Sequence, residues 1–129
     1  MTPLLLVTQE SWLRNFVKKH TEGLGVKILK ECETTKQALD IYSSEKPQLV
    51  VIDMFLKGVT GLELLKSLRK AQDDQIILLI ARMRNHSVLE KSFRYGANDV
   101  LEFPPDGRIF RNIMLQRLEE IENKNTAYF

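Results

Sequence analysis

Cysteine is almost missing from this chain: among 129 residues only Cys32 carries a thiol. A lone cysteine rules out an internal disulfide and a cysteine-rich metal site, and it fits a reducing, cytoplasmic setting. Histidine is equally scarce, with only His20 and His86, too few to hold zinc without several carboxylates. Long apolar runs are lacking as well. No stretch approaches the roughly 20 residues of a membrane-spanning helix, and the opening MTPLLLV has neither the basic start nor the length of a signal peptide. Nor is there a surplus of one charge. Nineteen Lys and Arg against seventeen Asp and Glu leave +2, too little for a nucleic-acid surface. No helix pairs a basic face with a helix-turn-helix layout. Catalytic triads, metallohydrolase signatures, a P-loop and G-x-G-x-x-G are absent too. These absences predict one soluble, cytoplasmic, non-enzymatic domain with neither a nucleic-acid nor a membrane partner. At 43% hydrophobic and 28% charged residues, its balance is that of a globular fold.

The most informative stretch is Pro47 to Gly61, PQLVVIDMFLKGVTG, in which an apolar run ends on a single carboxylate, Asp53. Leu49, Val50, Val51 and Ile52 suit a strand buried on both faces of a parallel sheet. Asp53 then falls at the carboxyl end of that strand, where open α/β sheets leave a crevice for ligand chemistry.

Four more strand signals surround it: residues 4–7, 26–32, 76–81 and 100–103. In the second, Val26, Ile28, Lys30 and Cys32 alternate as expected of an edge strand. Helices fall between the strands. Trp12, Leu13, Phe16 and Val17 group on one side of the first, which Gly23 and Gly25 stop. Thr34 with Gln37, Thr60 with Glu63 and Ser87 with Glu90 have capping-box spacing for the next three. Leu89 and Phe93, at i and i+4, predict the inner face of the fourth helix. Asp106 is the expected N-cap of a fifth, reaching to about Asn123, with Phe110, Ile113, Met114, Leu118 and Ile121 on one side and Ile109 and Leu115 off that stripe. The expected fold is therefore a flavodoxin-like, doubly wound (βα)5 unit, with a five-stranded parallel sheet in the order 2-1-3-4-5 and helices on both faces. The expected domain is 1–122, followed by a tail at 123–129.

Asp53, followed three residues on by Leu56 and eight on by Gly61, resembles the phosphoacceptor motif of the receiver domain of two-component response regulators. LLLVTQESWLRN resembles that family's first strand and loop, and YGANDVLEFP its fourth-helix end and last strand. The resemblance implies a phosphoacceptor role for Asp53 and also shows departures. The acidic pair that binds a divalent ion in the family falls on Thr8 and Gln9, which carry no charge. The hydroxyl residue at the end of strand four falls on Ile80, the lysine before the last-strand proline on Phe103, and the switching aromatic on Val100. Pro104 keeps the proline, and Lys57 stands where a proline commonly follows the motif.

With these helpers replaced, the resemblance implies a degenerate, or pseudo, receiver in which phosphoryl transfer is slow or absent, since that chemistry rests on electrostatic stabilisation. No metal is expected, although Glu10 and Asp53 are candidate ligands; Glu10 equally suits an exposed acid at the first turn of a helix. Lys57, Arg82 and Arg84 lie in loops that border the crevice. One of them is expected to pair with Asp53 and fix one conformation; otherwise all three are solvated loop residues.

The leading expectation is thus a phosphorylation-independent protein-interaction module. Its partner would be a histidine kinase or an effector domain, or a second copy bound through the fourth helix, fifth strand and fifth helix. One alternative is a conventional phosphoacceptor modified on Asp53 by a histidine kinase, with Mg²⁺. Another is a flavodoxin-like nucleotide or flavin binder, since Thr8 and Ser11 sit in the loop after strand one; that loop, however, has no glycine for close approach to phosphate.

Overall fold

Uncharged runs of leucine, isoleucine and valine lie side by side at the centre of the computed structural model, which describes residues 1–56, 60–71, 74–82 and 86–126. They are the inner strands of one parallel sheet. The elements alternate as β1 (Thr2–Val7), α1 (Ser11–Thr21), β2 (Val26–Cys32), α2 (Thr35–Glu45), β3 (Leu49–Asp53), α3 (Gly61–Ala71), β4 (Ile76–Ala81), α4 (His86–Arg94), β5 (Asp99–Glu102) and α5 (Gly107–Thr126). The strand order is β2-β1-β3-β4-β5, the doubly wound arrangement the sequence predicts. Every residue of β3 and β4 is buried, as two-sided cover by helices requires. No helix among the described residues is long and apolar enough to cross a membrane.

The sheet separates two cores. Leu5, Val7, Val50, Ile52, Ile77 and Leu79 pack with α2, α3 and the partly buried Val88 of α4. Leu4, Leu6, Leu49, Val51, Leu78 and Ile80 pack with Leu13, Phe16 and Val17 of α1 and Phe110, Met114 and Ile121 of α5. Each fully buried Leu or Phe contributes about 1.5–3 kcal/mol relative to exposure, so the alternation of side chains holds both helix layers to the sheet.

Thr34 forms the expected capping box: the Gln37 N–H donates to its Oγ1 at 3.2 Å, and its own N–H donates to Gln37 Oε1 at 3.3 Å. Thr60 Oγ1 accepts from the Glu63 N–H at 3.2 Å, and Asp106 Oδ1 accepts from the N–H groups of Arg108 and Ile109. Arg117 ties α5 to β5, its Nε donating to Asp99 Oδ2 at 2.7 Å and its Nη2 to Oδ1 at 3.1 Å. Cys32 is buried, and that burial pushes its thiol up, with Lys30 opposing.

Four local expectations need correction. Helix α4 begins at His86, so Ser87 lies inside its first turn and does not cap it. The pair Leu89 and Phe93 faces outward, 43% and 50% exposed, while Ser92 is the buried residue of that helix, its hydroxyl donating to the Val88 carbonyl at 2.7 Å. The hydroxyl satisfies itself on its own helix and can therefore be buried in place of an apolar group. Strand β2 is irregular as well: Leu4 pairs with Ile28 but Leu5 with Lys30, so one extra residue, Leu29, interrupts the alternation. Val26 and Ile28 consequently join the α1/α5 core while Cys32 joins the other. Finally, α5 runs beyond Asn123 to Thr126, since no glycine or proline interrupts it.

Gly61 opens α3 where the chain folds back onto the end of β3, its N–H donating to the Met54 carbonyl at 2.8 Å. A Cβ there would stand 2.6 Å from the Asp53 carbonyl oxygen and 2.7 Å from Met54 Cα, both backbone atoms. Gly61→Ala should therefore destabilise the domain by about 1–3 kcal/mol through overpacking, against alanine's better helix propensity. Urea unfolding checks this: a midpoint equal to or above that of the unsubstituted chain would show that α3 can move away without cost.

Candidate functional site

Three chain segments meet above the carboxyl ends of β1, β3 and β4, and each contributes to one carboxylate. Asp53 ends β3 with no exposed surface. Its Oδ1 accepts from the Phe55 N–H at 3.1 Å, a local turn of the kind aspartate favours. Thr8, the residue after β1, donates its hydroxyl to Oδ2 at 2.9 Å and accepts from the Glu10 N–H at 3.0 Å. Arg82, the residue after β4, closes the set: Nε lies 3.3 Å from Oδ1 and Nη2 3.0 Å from Oδ2. The carboxylate thus meets two parallel guanidinium bonds, the strong bidentate geometry.

The guanidinium is itself held. Its Cζ lies 3.6 Å from the centroid of the Phe103 ring and 5.4 Å from that of Phe55, within cation–π range of both. Phe103 in turn meets Trp12 edge-on at 5.5 Å, and Trp12 stacks on Phe16 at 5.2 Å. Glu10 Oε1 stands 3.7 Å from Arg82 Nη2, an ion pair without a hydrogen bond. The Arg82 side chain is 13% exposed against 53% for Glu10, so the pair with Asp53 is the desolvated one and the contact with Glu10 the weak one.

Of the residues singled out in the sequence, Asp53, Thr8, Arg82, Phe103 and Glu10 converge here. Gln9 does not: its amide nitrogen donates to the Glu33 carbonyl at 3.2 Å. Val100 is partly buried against the core on the face of the sheet that α2, α3 and α4 cover. Ile80 pairs with Asp53 in register, but its side chain lies in the α1/α5 core, and the last residue of β4 is Ala81, one position later. Neither Ile80 nor Ala81 carries a side-chain hydrogen-bond donor. Lys57 and Arg84 lie outside the described residues. Two participants escaped the sequence reading: the Phe55 ring and N–H, and Trp12 as the support of Phe103. The Asp-x-Phe spacing signals the first, because an aspartate commonly bonds the N–H two residues on.

A divalent ion such as Mg²⁺ would need oxygen ligands at about 2.0–2.1 Å, typically carboxylates and water. Both oxygens of Asp53 already accept two hydrogen bonds each, Thr8 is spent as a donor, and Gln9 points elsewhere. No cluster of three or more His, Cys, Asp or Glu suited to a metal exists among the described residues. The donor set does not fit the ion. What it does fit is a carboxylate paired with a guanidinium.

Removing one partner of a buried pair leaves the other charge uncompensated, so Arg82→Ala is expected to cost about 3–5 kcal/mol. The double variant Asp53→Ala/Arg82→Ala should be less unstable than the sum of the single variants by about 1–3 kcal/mol, measured as a double-mutant cycle in urea. Additive losses would mean that the two side chains do not depend on each other.

Comparisons with known proteins agree with this fold. Residues 4–113 match the family model of the response regulator receiver domain. The chain is 31% identical over 104 residues to the KDP operon transcriptional regulatory protein KdpE of Escherichia coli, covering 81% of this chain and 45% of that one. It is 24% identical over 101 residues to the chemotaxis protein CheY of Bacillus subtilis, covering 78% of this chain and 84% of that one. It therefore spans less than half the length of the first and most of the second. Among solved structures, a CheY-like response regulator receiver domain from Methanospirillum hungatei superposes with a TM-score of 0.85 at 19% identity, over 96% of this chain and 98% of that one. A sheet in the order 2-1-3-4-5, an aspartate closing its central strand and a match from residue 4 to 113 lead to one conclusion: the chain belongs to the response regulator receiver domain family.

Proposed function

We propose that this receiver domain works as a protein-interaction module whose conformation is set by the Arg82–Asp53 pair rather than by phosphorylation of Asp53. The observation that carries this reading is the bidentate contact at 3.0 and 3.3 Å, made by a guanidinium that is itself stacked on Phe103. A phosphoryl group on Asp53 needs cationic neighbours free to receive it, and Arg82, the cation that meets Asp53 among the described residues, is already engaged with the unmodified carboxylate. Thr8, Gln9, Ile80 and Phe103 supply neither a metal site nor a second cation, so the site is a degenerate one on this reading.

The interaction surface is then the face of α4, β5 and α5. There α4 turns Leu89 and Phe93 outward and buries Ser92, the reverse of what a helix without a partner favours. The partner is a protein: a kinase, an effector domain or a second copy of the chain. The likeness to KdpE, which bears the name of a transcriptional regulatory protein, supports a regulatory output. The second reading, a conventional phosphoacceptor modified by a histidine kinase, draws on the place of Asp53 itself, buried at the head of the central strand in the family's acceptor position.

Incubation with a small-molecule phosphodonor and Mg²⁺ separates the two. No phosphoprotein mass shift is expected in the unsubstituted chain. A shift that disappears in Asp53→Ala would overturn the interaction-module reading and establish the conventional one.

A further inference from the structure

We propose that the Arg82 guanidinium is the resident cation of this site: it stands between the carboxylates of Asp53 and Glu10 and closes that position to divalent ions. The inference rests on the reading of the domain given above and names what controls the same site.

The two carboxylates come from different parts of the sheet, Asp53 from the end of β3 and Glu10 from the loop after β1. They nevertheless converge on one atom, since Arg82 Nη2 is 3.0 Å from Asp53 Oδ2 and 3.7 Å from Glu10 Oε1. The backbone at Glu10 is tied to the site, because its N–H donates to the same Thr8 hydroxyl that donates to Asp53. Thr8 therefore holds the loop that carries Glu10 next to the buried carboxylate. A divalent ion shared by these acids would have to lie where Nη2 now lies, and with Arg82 in place it would face a positive charge at contact distance. Such like-charge contact is unfavourable, most of all on the side of the guanidinium that faces the buried Asp53.

Arg82 is held from a second side as well. The Phe103 ring covers one face of the guanidinium at 3.6 Å, and Trp12 braces that ring at 5.5 Å. A side chain needs no capture from solution, so this cation is present at any metal concentration. The aromatic at 103 and the arginine at 82 act together: the ring cannot neutralise Asp53, but it positions the group that does.

The test is a titration of Mg²⁺ and Mn²⁺, at constant ionic strength and without any phosphodonor, on the unsubstituted chain, Arg82→Gln and Glu10→Gln/Arg82→Gln. Trp12, the only tryptophan, supports the ring beneath Arg82, so its fluorescence reports the site alongside the thermal midpoint. The unsubstituted chain should respond to neither ion. Arg82→Gln should gain a saturable response, with a midpoint rise of roughly 5 °C or more at about a hundred times its Kd. Glu10→Gln/Arg82→Gln should lose most of that gain. A saturable response of the unsubstituted chain to Mg²⁺ overturns the inference, as does a folded Arg82→Gln that stays silent. If Arg82→Gln does not fold, the titration of the unsubstituted chain decides by itself. Metal binding without phosphorylation would sink this inference and leave the interaction-module reading standing; phosphorylation of a chain with a flat titration would sink that reading alone.

Discussion

Burying a carboxylate at the head of a sheet whose inner strands are otherwise apolar costs several kcal/mol unless a counter-charge and hydrogen bonds come with it. Asp53 is in that position, and the surrounding loops are arranged to meet the requirement. Thr8 ties the β1 loop to it, the Phe55 N–H turns the chain after β3 around it, and Arg82 brings the start of the β4–α4 connection onto it. One carboxylate therefore fixes the relative placement of three loops on the same edge of the sheet. Gly61 belongs to the same arrangement, since α3 can begin against the end of β3 only where no Cβ intrudes.

The fold was legible in the sequence because its signals were redundant. Runs such as Ile76 to Ala81 can be buried only on both faces, and an αβ alternation of that kind leaves few topologies. Caps at Thr34, Thr60 and Asp106 were readable because they act within three residues of chain. What failed was information carried by tertiary partners. The alternation of β2 does not reveal the bulge opposite Leu4 and Leu5, which depends on pairing with β1. The i, i+4 pair of Leu89 and Phe93 gives a helix but not its orientation. Ser92, bonded to its own helix, takes the inner position, and the apolar pair is left outside.

The site was legible only in part, for a related reason. Asp53 could be located because strand and motif coincide there. Three cations could be named as neighbours because they flank the crevice in sequence. Among the described residues it is Arg82 that meets Asp53, and the choice is geometric: Asp53 pairs in register with Ile80, so Arg82, two residues on, returns to the same face of the sheet just beyond the end of β3 and can reach back to the carboxylate. Nothing in the sequence alone connects Trp12 with Phe103, which are far apart along the chain and touch only because α1 and the segment after β5 lie on the same side of the sheet.

On the reading proposed for this site, Phe103 stands where the resemblance places a lysine, and its surroundings give that exchange a meaning other than a simple loss. Read alone, an aromatic in place of a lysine removes a positive charge from the crevice. Read with Arg82, it relocates that charge, because a flat ring 3.6 Å from a guanidinium favours the cation and fixes its plane. A lysine at 103 would instead compete with Arg82 for the same carboxylate and repel it. The two positions are thus physically coupled: an arginine after β4 calls for a neutral, planar neighbour after β5, and the neutral Thr8 and Gln9 follow the same logic, since one guanidinium compensates one buried carboxylate and not three. On that same proposed reading, the uncharged side chains of Thr8 and Phe103 form a consistent set with Arg82, the cation that meets Asp53 among the described residues.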